Sequence, residues 1–303
     1  MREKKAGVDL KRKTIKAVLR KKTNEFLESI TDPEVKKLLK DNLIISGGCI
    51  VSMLRGEKVN DFDYYFTNKE TCLAAANYYV AKFNERTGRS VSVKDEDGRI
   101  KIFVKSQGVA GDETQVPEDE PTTEFDDMGM EDLTLSEIKE EVKTDSYRPI
   151  FLSTNAISLS NKVQLITRFY GDAEEIHTNY DFVHCTCYWT SEDNNLVLPA
   201  SALESIITRE LVYIGSKYPL CSIMRAKKFV QRGWQINAGQ FVKMALQLNG
   251  MDFYDVNILE DQLTGVDSAY FLHVIDIIKE KQENNPDFKL DNNYLFTVIN
   301  RIF

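Results

Sequence analysis

The sequence has no apolar run near the ~20 residues that a bilayer span needs, and its basic opening, MREKKAGVDLKRKTIK, has no apolar h-region. Neither a membrane helix nor a secretory signal is therefore expected. Cysteine is scarce, scattered and odd in number: Cys49, Cys72, Cys185, Cys187 and Cys221. That excludes a disulfide framework and points to a reducing, cytoplasmic setting. His184, Cys185 and Cys187 lie close together, the two cysteines on one face of an expected strand, but no second pair completes a zinc set. A P-loop lysine motif, a G-x-S-x-G elbow and a Ser-His-Asp order are all missing, which removes phosphate-loop NTPase and serine-hydrolase readings. No internal repeat is present.

What is there is a 303-residue chain with 42% hydrophobic and 28% charged residues, enough for a sizeable core and two or three domains. Its net charge of −8 is unevenly spread. Between Asp112 and Asp145 stand 14 acids against Lys139 and Lys143, a local charge of −12, which leaves 37 bases and 33 acids elsewhere. The acidic stretch, about residues 106–148, reads as a flexible insert with a helix near Leu135–Val142. The first 22 residues are basic: Arg2, Lys4, Lys5, Lys11, Arg12, Lys13, Lys16, Arg20, Lys21 and Lys22 face only Glu3 and Asp9. They read either as a phosphate-contacting stretch or as the solvated face of a helix.

Periodicity predicts helices over 11–29 and 33–41, the second capped by Asp32 and Pro33. It predicts strands at Asn42–Ser46 and Asp61–Phe66 and a helix over Thr71–Thr87. A hairpin about Asp95–Gly98 is expected, with strand-like sequence at Ala156–Ser158, Val163–Phe169 and Asp181–Trp189. Helices follow from Ala200. The expected organisation is a basic helical segment (1–41), a mixed-sheet head (42–199) and a helical neck and tail (200–303).

The most informative stretch is Ile45–Phe66, ISGGCIVSMLRGEKVNDFDYYF. A strand runs into Gly47-Gly48, a short helix carries Arg55, and a second strand bears Asp61 and Asp63. Residues two apart on a strand project from one face, so the two carboxylates can share Mg²⁺ or Mn²⁺, hard ions that also take substrate phosphate oxygens. Gly47 and Gly48 let backbone N–H groups approach a triphosphate, and Ser46 offers a hydroxyl beside it. Arg225, Lys227, Lys228 and Arg232 share one segment with Trp234, a pattern that can hold an RNA backbone and stack a base, or form an ordinary basic helix face.

Gly-Gly followed by Asp-x-Asp resembles the signature of the DNA polymerase beta-type nucleotidyltransferase superfamily. The nearest branch is the class II tRNA CCA-adding enzymes and poly(A) polymerases. Gly47, Gly48, Leu54, Arg55, Gly56, Asp61 and Asp63 match their first motif, although Val51-Ser52 stands where the family has Arg-Asp. VQLITRF (Val163–Phe169) is similar to the next strand, with Gln164 in place of a Glu. YDFVHCTC (Tyr180–Cys187) resembles the following motif, with Tyr180 for an Arg and Cys185 for an Asn. Arg225, Ala226, Lys228, Phe229, Gly233, Trp234 and Ile236 fit the neck, but Tyr218–Ser222 (YPLCS) lacks the charged template that selects the incoming base. A phage-type relative is suggested, which would place the protein in a host cytoplasm.

The resemblance implies an α+β protein, a nucleotidyltransferase-fold mixed-sheet head followed by an all-helical neck and body. It implies transfer of NMP from an NTP to an RNA 3′ end, tRNA-like first, with release of pyrophosphate. Asp61, Asp63 and Asp181 would be catalytic, with Ser46, Gly47, Gly48 and Arg55 on the nucleotide and Arg225, Lys228, Arg232 and Trp234 on RNA. Two alternatives stand beside it: the same chemistry on a protein or small-molecule acceptor, and a non-catalytic protein that retains the fold.

Overall fold

A computed structural model describes residues 2–96, 98–103, 108–110, 146–263, 278–281, 283–285 and 297. The acidic stretch from 111 to 145, its expected helix at 135–142 and most of the tail beyond 263 lie outside the described residues. The chain divides into two compact units, the first running to Thr208 and the second from Arg209.

The first unit is built on an eight-stranded mixed sheet in the order β10-β9-β1-β2-β8-β7-β6-β5. Its strands are β1 (Leu43–Ser46), β2 (Phe62–Phe66), β5 (Gly108–Ala110), β6 (Pro149–Ser153), β7 (Ala156–Leu159), β8 (Val163–Tyr170), β9 (Tyr188–Thr190) and β10 (Asn195–Val197). Only β2 and β8 pair in parallel. The expected hairpin forms a separate ribbon of β3 (Ser92–Glu96) and β4 (Arg99–Phe103). The fold is thus α+β with a mixed sheet, as the sequence implies.

Local chemistry sets the helices. α1 (Arg2–Glu28) begins nine residues earlier than its periodicity suggests. α2 (Pro33–Lys40) starts where Asp32 accepts the Glu34 and Val35 N–H groups at 2.9 and 3.1 Å, with Pro at its first turn. α4 (Lys69–Thr87) is capped by the Asn68 side chain on Thr71 N–H and ends at Gly88, φ +67°.

β2 sorts its side chains by alternation. Phe62, Tyr64 and Phe66 point to one face, where Tyr64 meets Phe26 of α1 (ring centroids 5.3 Å) and bonds Thr23 at 3.1 Å. Phe26 also packs on Tyr79 of α4 and on Tyr147, which gives this side an aromatic centre. Asp63 and Tyr65 point to the other face. There Tyr65 joins Ile44 and, from α5 (Ala173–His177), Ala173 and Ile176, with Tyr180 and Tyr188 packed around them. Both faces of the sheet bury core residues, and the second also carries the candidate site.

Two expectations give way. Asp61 precedes β2 instead of lying in it, so only Asp63 has its direction fixed by strand alternation. Residues 181–187 are not a strand: Val183–Thr186 form a 3₁₀ turn closed by Thr186 Oγ1 on Val183 O at 2.7 Å. The chain must reverse there to enter β9 beside β1, and burying Phe182 and Val183 outweighs their strand propensity. Cys185 and Cys187 therefore share no strand face. Three bases of the basic N-terminus are used structurally: Lys11 donates to Leu54 O (2.9 Å), Arg12 to Leu196 O and Lys22 to Asn161 O (2.6 Å).

The second unit holds α7 (Pro219–Gln231), α8 (Ala238–Leu248) and α9 (Val256–Leu263). Gln240 and Gln247 tie α8 to the preceding segment through Tyr213 N–H (2.9 Å) and Tyr213 OH (2.6 Å).

Candidate active site

The site begins at the end of β1. Strand propensity carries Leu43–Ser46 through the core with every residue buried, and Gly47 then turns the chain at φ +89°, a conformation L side chains rarely adopt. Helix α3 (Gly48–Arg55) starts at once, so its unpaired backbone N–H groups open beside the turn. A Cβ added at Gly47 would lie 3.6 Å from Asp63 Oδ2 and 3.8 Å from Tyr180 OH. Those are ordinary contact distances, so the positive φ gives the glycine its physical reason, and the turn it makes stands beside the carboxylate.

Sheet register lays out the rest. Asp63 is level with Ser46 on β1 and with Gln164 on β8, and Gln164 with Ser158 on β7. Level neighbours share a face, so a polar row crosses the sheet. Gln164 stands beside Asp63, where a third acid would complete a carboxylate set.

Burial, and then the nearby Asp61, push the half-buried Asp63 carboxyl up to about 8. The Cys49 thiol is pushed well up by burial and then by both aspartates. Two like charges held this close are the donor arrangement a divalent cation relieves. Among the described residues no group of three or more His, Cys, Asp or Glu is placed to hold a metal, so Asp61, Asp63 and the buried Asp181 do not form one set. The residues fit a Mg²⁺ that keeps waters and takes substrate oxygens, and do not form a closed protein cage.

Beside the turn Ser46 joins a hydrogen-bonded group in which His177 is a member the sequence did not single out. Ser46 is fully buried, and its Oγ reaches Cys187 O at 3.1 Å and His177 Nε2 at 2.9 Å. Burial lowers His177 to about 4, so its imidazole is neutral. Ser46 has one proton, so the direction of its bond to His177 follows the imidazole tautomer. Tyr180 stands beside Tyr65, ring centroids 6.2 Å apart, and burial pushes its hydroxyl pKa up. The fully buried Ser46 Oγ thus bonds to protein groups that hold the turn. The spacing of α5 hid this: five residues are too short for periodicity, and only the Asp172–Glu175 capping box marks the helix that brings His177 in.

The other expected residues are placed as follows. Arg55 donates to Glu57 at 2.5 Å and to Ile206 O at 3.5 Å. Arg225 and Lys228 lie on α7, and Arg232 caps it. Trp234 is buried, its indole edge-on to Phe229 with centroids 6.0 Å apart, so the ring serves packing.

A sequence profile of the Gabija anti-defense 2 family matches residues 17–209, well over half of the chain. The protein "Gabija anti-defense 2" of Bacillus phage SPbetaL7 is 19% identical over 290 residues, 92% of this chain and 57% of that protein. The chain thus spans little more than half the length of that relative. Among solved structures, the Thermotoga maritima CCA-adding enzyme complexed with tRNA is similar at TM-score 0.37 and 11% identity, over 89% of this chain and 57% of that one. The Bacillus stearothermophilus CCA-adding enzyme with CTP is similar at 0.39 and 14%, over 81% and 49%. The profile match carries the assignment: the chain belongs to the Gabija anti-defense 2 family.

Proposed function

We propose that the chain is a metal-dependent nucleotidyltransferase that moves NMP from an NTP to an RNA 3′ end, and that a phage uses it in the host cytoplasm against a bacterial defence. One observation carries the chemistry: the Gly47-Gly48 turn and the start of α3 lie against Asp63, with Asp61 two residues away. Backbone N–H groups at a helix start bind phosphate oxygens, and adjacent carboxylates bind the cation that travels with a triphosphate. Mg²⁺ or Mn²⁺, when bound, supplies charge neutralisation at the reacting phosphorus. Asp61 and Asp63 orient the ion and the attacking hydroxyl. Gly47 and Gly48 hold the triphosphate in line, and Ser46, His177 and Tyr180 keep that turn fixed. Asp181 is kept as a third acid that supports the site from the segment after Tyr180. In the second unit, Arg225, Lys228 and Arg232 are the candidate RNA-backbone contacts.

A second reading, transfer to a protein acceptor, is supported by the family to which the chain belongs, whose name refers to a defence and not to an RNA. Incubation with each of four labelled NTPs, Mg²⁺ and either host RNA or host protein tests both readings. Label in RNA that vanishes in Asp63→Asn supports the first reading, and label in protein supports the second. No incorporation and no pyrophosphate release under any condition would refute both.

A further inference from the structure

On the flank of the carboxylates opposite the glycines stand Lys58 and Lys162, and Lys22 reaches their turn from the α1 face of the sheet. β7 and β8 are joined through Asn161 and Lys162, both in the left-handed region at φ +62° and +60°. Lys162 O accepts the N–H of Phe62, which ties this turn to the start of β2 next to Asp61. Lys162 Nζ reaches Val59 O at 3.3 Å, in the connection that also carries Lys58. From α1, Lys22 Nζ donates to Asn161 O at 2.6 Å and lies 5.2 and 5.3 Å from the ring centres of Phe62 and Tyr147.

Lys162 stands within electrostatic reach of both Lys22 and Lys58. Lys162 is lowered by burial and then by Lys58, against the pull of Asp61. Lys22 is lowered to about 8 by burial, with Glu25 opposing that shift and Lys162 adding to it. Among the described residues none of the three forms an ion pair at salt-bridge distance. Lys58 and Lys162 thus place two like charges beside Asp61, which opposes only part of the shift on Lys162, and the left-handed backbone at Asn161 and Lys162 fixes where that charge stands.

We propose that Lys58 and Lys162 form a phosphate-binding corner for the backbone of a single-stranded polynucleotide acceptor, with Lys22 bracing the Asn161–Lys162 turn from the α1 face of the sheet. The sheet order supports the division of labour. β1 brings the Gly47-Gly48 turn to one side of β2, and β8 brings Lys162 to the other. A triphosphate on the glycine side leaves the lysine side for the second phosphate-bearing reactant. This rests on the nucleotidyl-transfer reading for its chemistry, but binding tests it independently of turnover.

The probes are a short labelled single-stranded RNA of mixed sequence and Mg-ATP, each titrated against the full chain and the double variant Lys58→Gln/Lys162→Asn. Both lysines are on or near the surface, and Asn tolerates the left-handed backbone. Equal unfolding midpoints check the fold. RNA affinity should fall about tenfold or more at low salt, with the log–log salt slope reduced by about 1.4, or about 0.7 per lost phosphate contact. Mg-ATP affinity should change less than about twofold. Undetectable RNA binding by the parent chain, or unchanged affinity in the variant, would overturn the proposal. Equal losses for RNA and Mg-ATP would overturn it too, by moving the lysines to the triphosphate. Failure of the transfer reading shows separately, as a parent chain that binds no Mg-ATP.

Discussion

At the residue scale the account turns on side chains held against their solvation preference. Asp63 is half-buried and level with Ser46 and Gln164, and its charge is opposed by Asp61. Mg²⁺ should therefore raise the unfolding midpoint of the parent chain but not of Asp63→Asn, since a ligand stabilises only the state that binds it. In metal-free buffer Asp63→Asn should be at least as stable as the parent, because the like-charge opposition is gone. A Mg²⁺-independent midpoint in the parent would contradict the metal assignment. His177 makes a second prediction. Its folded pKa of about 4 lies below the unfolded 6.5, so its contribution is complete above about 6.5 and is lost as pH falls towards 4. His177→Gln should make the acid decline shallower by at most about 1.4 kcal/mol per pH unit. Denaturation series between those pH values check this. Part of the decline should persist, because burial lowers His184 in the same way, to about 3.

At the element scale α5 is the small piece that matters most, since it delivers His177 and leads into Tyr180. Its start depends on Gly171 at φ +129°, where a Cβ would fall 2.1 Å from Glu175 Oε2, the oxygen that accepts Asp172 N–H at 3.0 Å. Gly171→Ala should break the capping box and destabilise the first unit by about 1–3 kcal/mol, and activity should fall with it. An unchanged midpoint would show that α5 does not need the box. The elements legible in the sequence were those with a strong local signal: Asp32-Pro33 opening α2, the apolar periodicity of α4, and the buried run before Gly47-Gly48. Those missed are set by tertiary context. Five-residue α5 and three-residue β5 and β10 are too short to show a period. Val183–Thr186 form a turn because β9 must lie beside β1. The site was legible as Gly47, Gly48, Asp61 and Asp63, which sit within one short stretch. His177 and the lysine corner come from distant segments that only the sheet brings together, and the buried position of Trp234 depends on packing that its motif does not encode.

At the scale of the whole molecule, an acidic stretch lies in the sequence between β5 and β6, which pair with each other in the mixed sheet. Ala110 of β5 pairs with Phe151 of β6, so the ends of the stretch emerge from one hairpin and a short loop can join them. Replacing residues 113–143 by such a loop should leave cooperative unfolding intact, because the removed sequence is polar, strongly charged and poor in core residues. A lost or broadened transition would show that the stretch is structural. Around that sheet, glycines and carboxylates on one flank and lysines on the other would make a site for two phosphate-bearing reactants. The most direct test is Mg²⁺-dependent incorporation of labelled NMP into host RNA by the parent chain and by Asp61→Asn and Asp63→Asn. The account predicts label at RNA 3′ ends with the parent, about a hundredfold less or none with either variant, and none without the metal. Equal incorporation by parent and variants would contradict it.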